Sequence, residues 1–379
     1  MKTIYIFGNS FWRGLPQRDI HFSVALARKG FNIYFIEPPN SLANILKSHM
    51  YDTDGSKLKS FYNLNEIPSM HVFSPPTFYT FFRSSIIPNL DKKIIQKWFI
   101  RVLKPLIDSN AVFYGFSPIW YFYLEEFLNN FTIKIYDVFD DLSISSRNKR
   151  ALQYHQFAEK IAIHHSEYVT CSSTYLSENL KKKYSIKPIL IRNGISVDSF
   201  DKVRWKGNKK KIIGLIAAMT VLPECYEIQL IIKVAERYPD KQIHIIGPYT
   251  SKHKKLFEKK KNIKLLGILI GDQLNNELAN FDICLIPFLT NEVTKAINPL
   301  KMYEYLAYGK PVIGLDNFDY EDAYPFIYLA QNDIEFISKI DSALNEDSKF
   351  KFNSRIEYIK NKTWGKRVES LIILVDENL

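Results

Sequence analysis

The chain of 379 residues is longer than one hydrophobic core usually organises, which predicts two domains and excludes a single-motif protein. A hydrophobic share of 46% with 24% charged residues, and 27 Phe and 23 Tyr available for burial, excludes global disorder. The net charge of +11 is uneven: residues 1–200 hold 24 Lys and Arg against 16 Asp and Glu, and the remainder 27 against 24. The basic excess sits in the first half, where it suits a polyanionic partner.

The chain opens with a β-branched and aromatic run, residues 3–7, closed by Gly8-Asn9-Ser10, which predicts a strand and its loop. The run is too brief for the apolar core of a signal peptide, and the longest nearly uncharged stretch, 111–124, falls short of the ~20 residues that span a bilayer. The expectation is a cytoplasmic protein without a transmembrane helix. Ile20, Val24, Leu26 and Ala27 then recur at helical spacing up to Lys29-Gly30, and 31–36 begins the next strand. Further strands are expected at 111–114, 133–136 and 168–171. Cys171, Cys225 and Cys284 form no CxxC pair and read as buried thiols.

The pattern restarts in the second half, with strands at 211–216, 242–247, 263–266, 283–286 and 312–314 and helices at 227–238 and 302–308. This is α/β architecture: two Rossmann-like domains facing a cleft, with ligands at the carboxyl ends of the strands. The polar, turn-rich stretch 193–198 marks the junction. The expected division is 1–195, 196–362 and a final helix over 363–379.

The most informative segment runs from Asn298 to Ile313, where a loop meets a helix. Pro299 suits the first turn, the free N–H groups that follow suit phosphate oxygens, and Lys301 adds a cation at the same helix end. Glu304, one turn later, is placed to accept two ribose hydroxyls. The competing reading is an amphipathic helix with Leu300, Tyr303, Leu306 and Ala307 in the core and Glu304 solvated.

Residues 299–313 resemble the donor-site signature of GT-B glycosyltransferases, particularly those of family 4. Other pieces match in order: Trp12 to Arg18 with His21, then Glu37-Pro38-Pro39, Tyr136 to Asp141, Asn193-Gly194-Ile195, Gly267, Phe281 to Pro287, and Thr363-Trp364 before a final helix. The opening from Trp12 to Arg18 is most similar to the subgroup that includes teichuronic acid and other surface-polysaccharide glycosyltransferases.

The resemblance implies a metal-independent enzyme with no cofactor beyond its substrate, a UDP- or GDP-linked sugar bound by the second domain, and a glycan or polyprenyl-linked acceptor bound by the first. It implies retention of anomeric configuration, and the final helix packing back on the first domain. It maps the ribose-binding glutamate onto Glu304 and makes Lys301, Asn298, Pro299, Leu300, Gly247 and Gly267 the donor-binding set. The sequence departs from the family at Ala296, where a carboxylate usually contacts the donor sugar, and in Ala217-Ala218-Met219-Thr220, where many members carry Arg and Lys. Glu292 or Asn298 is a candidate substitute at the first departure. A catalytically silent homologue that binds nucleotide or glycan beside another transferase is the alternative.

In the first domain, Asp137, Asp140 and Asp141 end an apolar strand and are candidates to orient or deprotonate an acceptor hydroxyl; Asp141 reads equally well as a helix N-cap. Gly8, Asn9 and Arg18 sit in the first loop, which in the resembling family approaches the donor phosphate. Arg18 is suited to bidentate phosphate binding, or else to a surface salt bridge. Asp52-Thr53-Asp54 lacks a leading apolar strand and reads as a loop, and His164-His165 as part of a helix. No metal site is expected. Lys93, Lys97, Arg101 and Lys104 recur at helical spacing opposite Ile94, Ile95, Trp98, Phe99, Val102 and Leu103, a pattern for a helix lying on an anionic membrane or for an ordinary domain surface. No nucleic-acid recognition motif accompanies the charge.

Overall fold

The computed structural model describes residues 2–13, 16–41, 64, 67, 69–77, 88–141, 149–196, 203–205, 207, 209, 211–220, 225–316 and 319–377. The Asp52-Thr53-Asp54 stretch and the aromatic, basic run 78–83 lie outside these. Two compact units emerge: Met1–Arg192 with Trp364–Leu379, and Asn193–Thr363.

In the first unit the strands are β1 (Thr3–Phe7), β2 (Asn32–Ile36), β3 (Met70–Phe73), β4 (Val112–Gly115), β5 (Ile133–Val138), β6 (Tyr168–Cys171) and β7 (Ile189–Leu190). They pair in parallel in the order β3-β2-β1-β4-β5-β6-β7. The central strands β1 and β4 are buried at every position, which is why they read as continuous apolar runs with no alternation. Phe7 stacks on Phe113 across the β1–β4 pair at 4.1 Å between ring centroids.

Arg18–Arg28 is the first crossover helix, closed by Gly30 in the left-handed region at φ +93. The C-terminal helix Trp364–Asp376 packs on it. The Trp364 ring stacks on His21 (4.9 Å, 10°) and meets Phe22 edge-on (5.6 Å), while Lys2 pairs with Asp376 (2.8 Å) and Lys29 with Glu369 (3.0 Å). Burial pushes the His21 pKa down to about 3, so the stacked imidazole is neutral at physiological pH.

The second unit holds β8 (Ile212–Ile216), β9 (Gln242–Ile246), β10 (Ile263–Gly267), β11 (Ile283–Ile286), β12 (Val312–Leu315) and β13 (Ile327–Ala330). These are parallel in the order β10-β9-β8-β11-β12-β13. Both sheets reverse direction of growth beside their first strand, between β1 and β4 and between β8 and β11. Crossover helices leave toward opposite faces there and open a crevice at the carboxyl ends, where such sheets bind ligands.

Candidate functional site

At the β8/β11 reversal, the helix Leu300–Ala307 lies against the carboxyl end of β8. Its N-cap is Pro299, whose backbone is extended (φ −71, ψ 118), so the helix proper starts one residue after the proline. Met302, Tyr303, Tyr305, Leu306 and Ala307 are buried. The β8–β11 pairing ends at Gly214–Cys284, leaving the Ile216 peptide without a strand partner on that side. Two side chains one helical turn apart take its place: Tyr305 Oη accepts the Ile216 N–H at 2.6 Å, and Lys301 Nζ donates to the Ile216 carbonyl at 2.8 Å. Lys301 Nζ also donates to Tyr226 Oη at 2.9 Å and lies over the rings of Tyr226 (4.7 Å) and Phe288 (4.4 Å).

Glu304 is half-buried on the same helix rather than solvated, and no described residue donates a hydrogen bond to its carboxylate. Burial pushes its pKa up from the ordinary value, and the Lys301 charge pulls it partly back. A carboxylate desolvated without a donor is costly to the empty protein.

Asn298 does different work from a ligand contact. It is buried, its Oδ1 accepts from the Asn193 N–H (2.9 Å) and Tyr303 Oη (2.9 Å), and its Nδ2 donates to the Asp319 carbonyl (3.0 Å). The side chain is spent on holding the 193 and 319 loops. Ala296 is buried at the end of the short helix Glu292–Lys295, and Glu292 is exposed and paired with Lys295 at 2.6 Å. Of the two candidate substitutes, the Asn298 side chain is thus engaged by these loops and Glu292 lies on the surface.

Gly247 and Gly267 follow β9 and end β10, joined by a Gly247 N–H to Gly267 carbonyl bond of 2.7 Å. Both have positive φ, +125 and +69, and a Cβ on Gly247 would stand 2.3 Å from the Ala217 carbonyl oxygen. This position therefore tolerates only glycine beside the β8 end.

In the first unit the corresponding loop is closed from within. Asp19 Oδ2 accepts the N–H groups of Asn9 (2.7 Å) and Ser10 (2.8 Å). Gly8 is needed because a Cβ would stand 2.6 Å from the Phe35 ring; its carbonyl accepts from Trp120 Nε1 at 2.9 Å. Arg18 is neither a phosphate clamp nor a surface salt bridge. It is 2% exposed, and its Nε and Nη2 make a bidentate pair with Asp137 at 2.9 and 3.0 Å. Asp137 Oδ2 also accepts from Tyr114 (2.8 Å) and Thr170 (2.7 Å).

Asp137 is therefore fully committed inside the unit, 119 residues from its partner. Asp140 and Asp141 are half-buried just beyond β5.

The helix Pro88–Trp98 continues through the wide turn Phe99–Leu103. Ile95, Phe99 and Leu103 are fully buried, while Lys93, Lys97, Arg101 and Lys104 are exposed. The outer face also shows Leu90, Ile100, Val102 and Leu106. Among the described residues none of the four cations has a carboxylate partner, and no helix is long and apolar enough to cross a membrane.

Residues 210–346 match the family described as glycosyl transferases group 1. A Bacillus subtilis (strain 168) protein named as the teichuronic acid biosynthesis glycosyltransferase TuaH is 25% identical over 207 residues, covering 50% of this chain and 51% of that protein. The chain thus spans about half the length of that curated relative. Sucrose-phosphate synthase of Thermosynechococcus elongatus superposes with a TM-score of 0.70 at 11% identity, covering 100% of this chain and 99% of that one. HepE of Anabaena, solved with UDP and glucose, superposes with a TM-score of 0.67 at 13% identity over the whole of both chains. The fold is GT-B, and the family match supports a glycosyltransferase of that type.

Proposed function

We propose that this protein moves a sugar from a nucleoside diphosphate sugar to a glycan or lipid-linked glycan in surface-polysaccharide synthesis. The observation that carries the proposal is the half-buried, donorless carboxylate of Glu304, one turn along a helix from the Lys301 ammonium at the β8/β11 reversal. Ribose hydroxyls satisfy Glu304. Lys301 and the first-turn N–H groups of the Leu300–Ala307 helix stabilise the diphosphate as it leaves with its charge developing. Gly247 and Gly267 keep the neighbouring strand ends free of side chains. UDP and sugar in HepE support the donor class, and TuaH supports the surface-polysaccharide setting.

The acceptor is assigned to the first unit, with Asp140 or Asp141 orienting its hydroxyl. The exposed cations of the Pro88–Trp98 helix and the turn after it hold that unit against an anionic lipid surface, at the inner face of the plasma membrane. Retention of configuration follows from the resemblance alone. The buried Ala296 and the paired Glu292 favour one second reading, a silent homologue that binds donor without turnover.

The test is thermal shift of the purified protein against UDP-, GDP-, ADP-, CMP- and dTDP-sugars. A ligand present at 100 times its Kd adds about 2.7 kcal/mol to stability, so one donor class should raise the melting temperature. A flat response to all five rejects the donor site. Nucleoside diphosphate release on adding polyprenyl-linked glycan separates the enzyme from the silent homologue.

A further inference from the structure

We propose that Tyr226 is a positioning residue that orients the Lys301 ammonium toward the donor diphosphate; the proposal rests on the donor-site reading above. Between Ile216 and Tyr226 the sequence contains no Lys or Arg, so Lys301, arriving from a distant helix, is the cation described at the end of β8. A lysine is a poor fixed charge. Its four-carbon stem samples many rotamers, and its ammonium has no preferred plane. Here three contacts remove that freedom in advance: the Ile216 carbonyl, the Tyr226 hydroxyl, and the faces of the Tyr226 and Phe288 rings.

Tyr226 is itself held rigidly. It is 4% exposed, its ring meets Phe288 edge-on at 5.1 Å, and the two residues form an antiparallel bridge. The flanking backbone is sutured on both sides, from Glu227 N–H to the Pro287 carbonyl and from Leu289 N–H to the Cys225 carbonyl, each at 2.8 Å.

The hydroxyl accepts from the Lys301 ammonium and from the Ala218 N–H at 3.0 Å, which uses both of its lone pairs. With the Ile216 carbonyl and the Tyr226 hydroxyl taken up, Lys301 keeps its third ammonium hydrogen for a ligand. An ammonium held in place with a hydrogen to spare selects an anion with oxygen lone pairs, which a diphosphate is and a nucleoside is not.

Calorimetry on the full chain tests this, with UDP, GDP and ADP each paired with its nucleoside, on wild type, Tyr226→Phe, Lys301→Met and the double variant. Phenylalanine keeps the ring over the ammonium and deletes the hydroxyl. Tyr226→Phe should weaken the nucleoside diphosphate about tenfold while leaving its nucleoside within about twofold. In the Lys301→Met background the same change should cost nothing further, because the residue acts through Lys301.

Equal losses for nucleoside and diphosphate overturn the proposal in favour of a packing role, as does a full tenfold loss in the Lys301→Met background. If Lys301→Met leaves the preference for diphosphate over nucleoside intact, or if no nucleotide binds wild type, the donor-site reading itself fails and takes the proposal with it. A Tyr226→Phe result at wild-type level beside a weakened Lys301→Met sinks the positioning role alone.

Discussion

Glu304→Gln should have effects of opposite sign on ligand binding and on stability. The substitution preserves shape and removes the negative charge. In the donor complex proposed above the carboxylate would accept two ribose hydroxyls, and a hydrogen bond to a charged group is worth about 1.5 to 3 kcal/mol. Losing that charge assistance should weaken the nucleotide by roughly 10- to 150-fold. In the empty protein the same carboxylate has no described donor, and burial raises its pKa from the ordinary 4.5, so its ionised form is a burden to the fold.

An acid with a raised folded pKa binds more protons folded than unfolded. The stability of the empty wild type therefore falls as pH rises through the carboxylate value and upward to the folded pKa. Glu304→Gln should lack that fall, melting at or above wild type at pH 7 and losing the advantage below about pH 4, where the wild-type acid is protonated in both states. The assays are nucleotide titration calorimetry and urea unfolding across pH. Unchanged nucleotide affinity refutes the ribose role, and a loss of stability at pH 7 refutes the picture of an unpartnered acid.

Arg18→Met or Asp137→Asn breaks the buried bidentate pair one side at a time and should each cost about 3 to 5 kcal/mol, on the order of 10 °C in melting temperature, with nucleotide affinity unchanged. Retained melting with abolished transfer would put Asp137 in the chemistry instead. For the surface helix, Lys93, Lys97, Arg101 and Lys104 changed together to Gln should abolish low-salt co-sedimentation with anionic vesicles, since each cation contributes about 1 kcal/mol there and salt screens it. Equal sedimentation of wild type and variant would make the helix an ordinary domain face.

The alternation of strands and helices was legible because parallel strands buried on both faces must be continuous apolar runs, and the expected 168–171 and 283–286 coincide with β6 and β11. β3 and β13 escaped: Met70–Phe73 sits at the sheet edge with His71 exposed, and Ile327–Ala330 is an edge strand with its middle only half-buried, so neither shows a sustained pattern. The surface helix was readable as amphipathic. Its apolar line was misjudged at Val102, because the wide turn at 99–103 keeps Ile95, Phe99 and Leu103 inside and turns Val102 out. Local periodicity carries no information about partners far along the chain. That hid the pairing of Arg18 with Asp137 and of Lys301 with Tyr226, each visible only after the sheet order brings the strand ends together.

The contrast between Asp137 and Glu304 shows why position at a strand end or helix start is not enough to name a functional acid. Both are carboxylates near carboxyl ends of parallel strands; Asp137 is fully buried and Glu304 half-buried. Asp137 has a guanidinium, a phenol and a threonine hydroxyl within 3.0 Å, so its charge is compensated before any ligand arrives, and a substrate would have to break that network to reach it. Glu304 is half-buried by its helix's packing and given no described donor, with only the Lys301 charge one turn away. A protein gains nothing in stability from that arrangement. It is explained if the compensation is supplied from outside, which makes unsatisfied hydrogen-bonding capacity the better guide to the site.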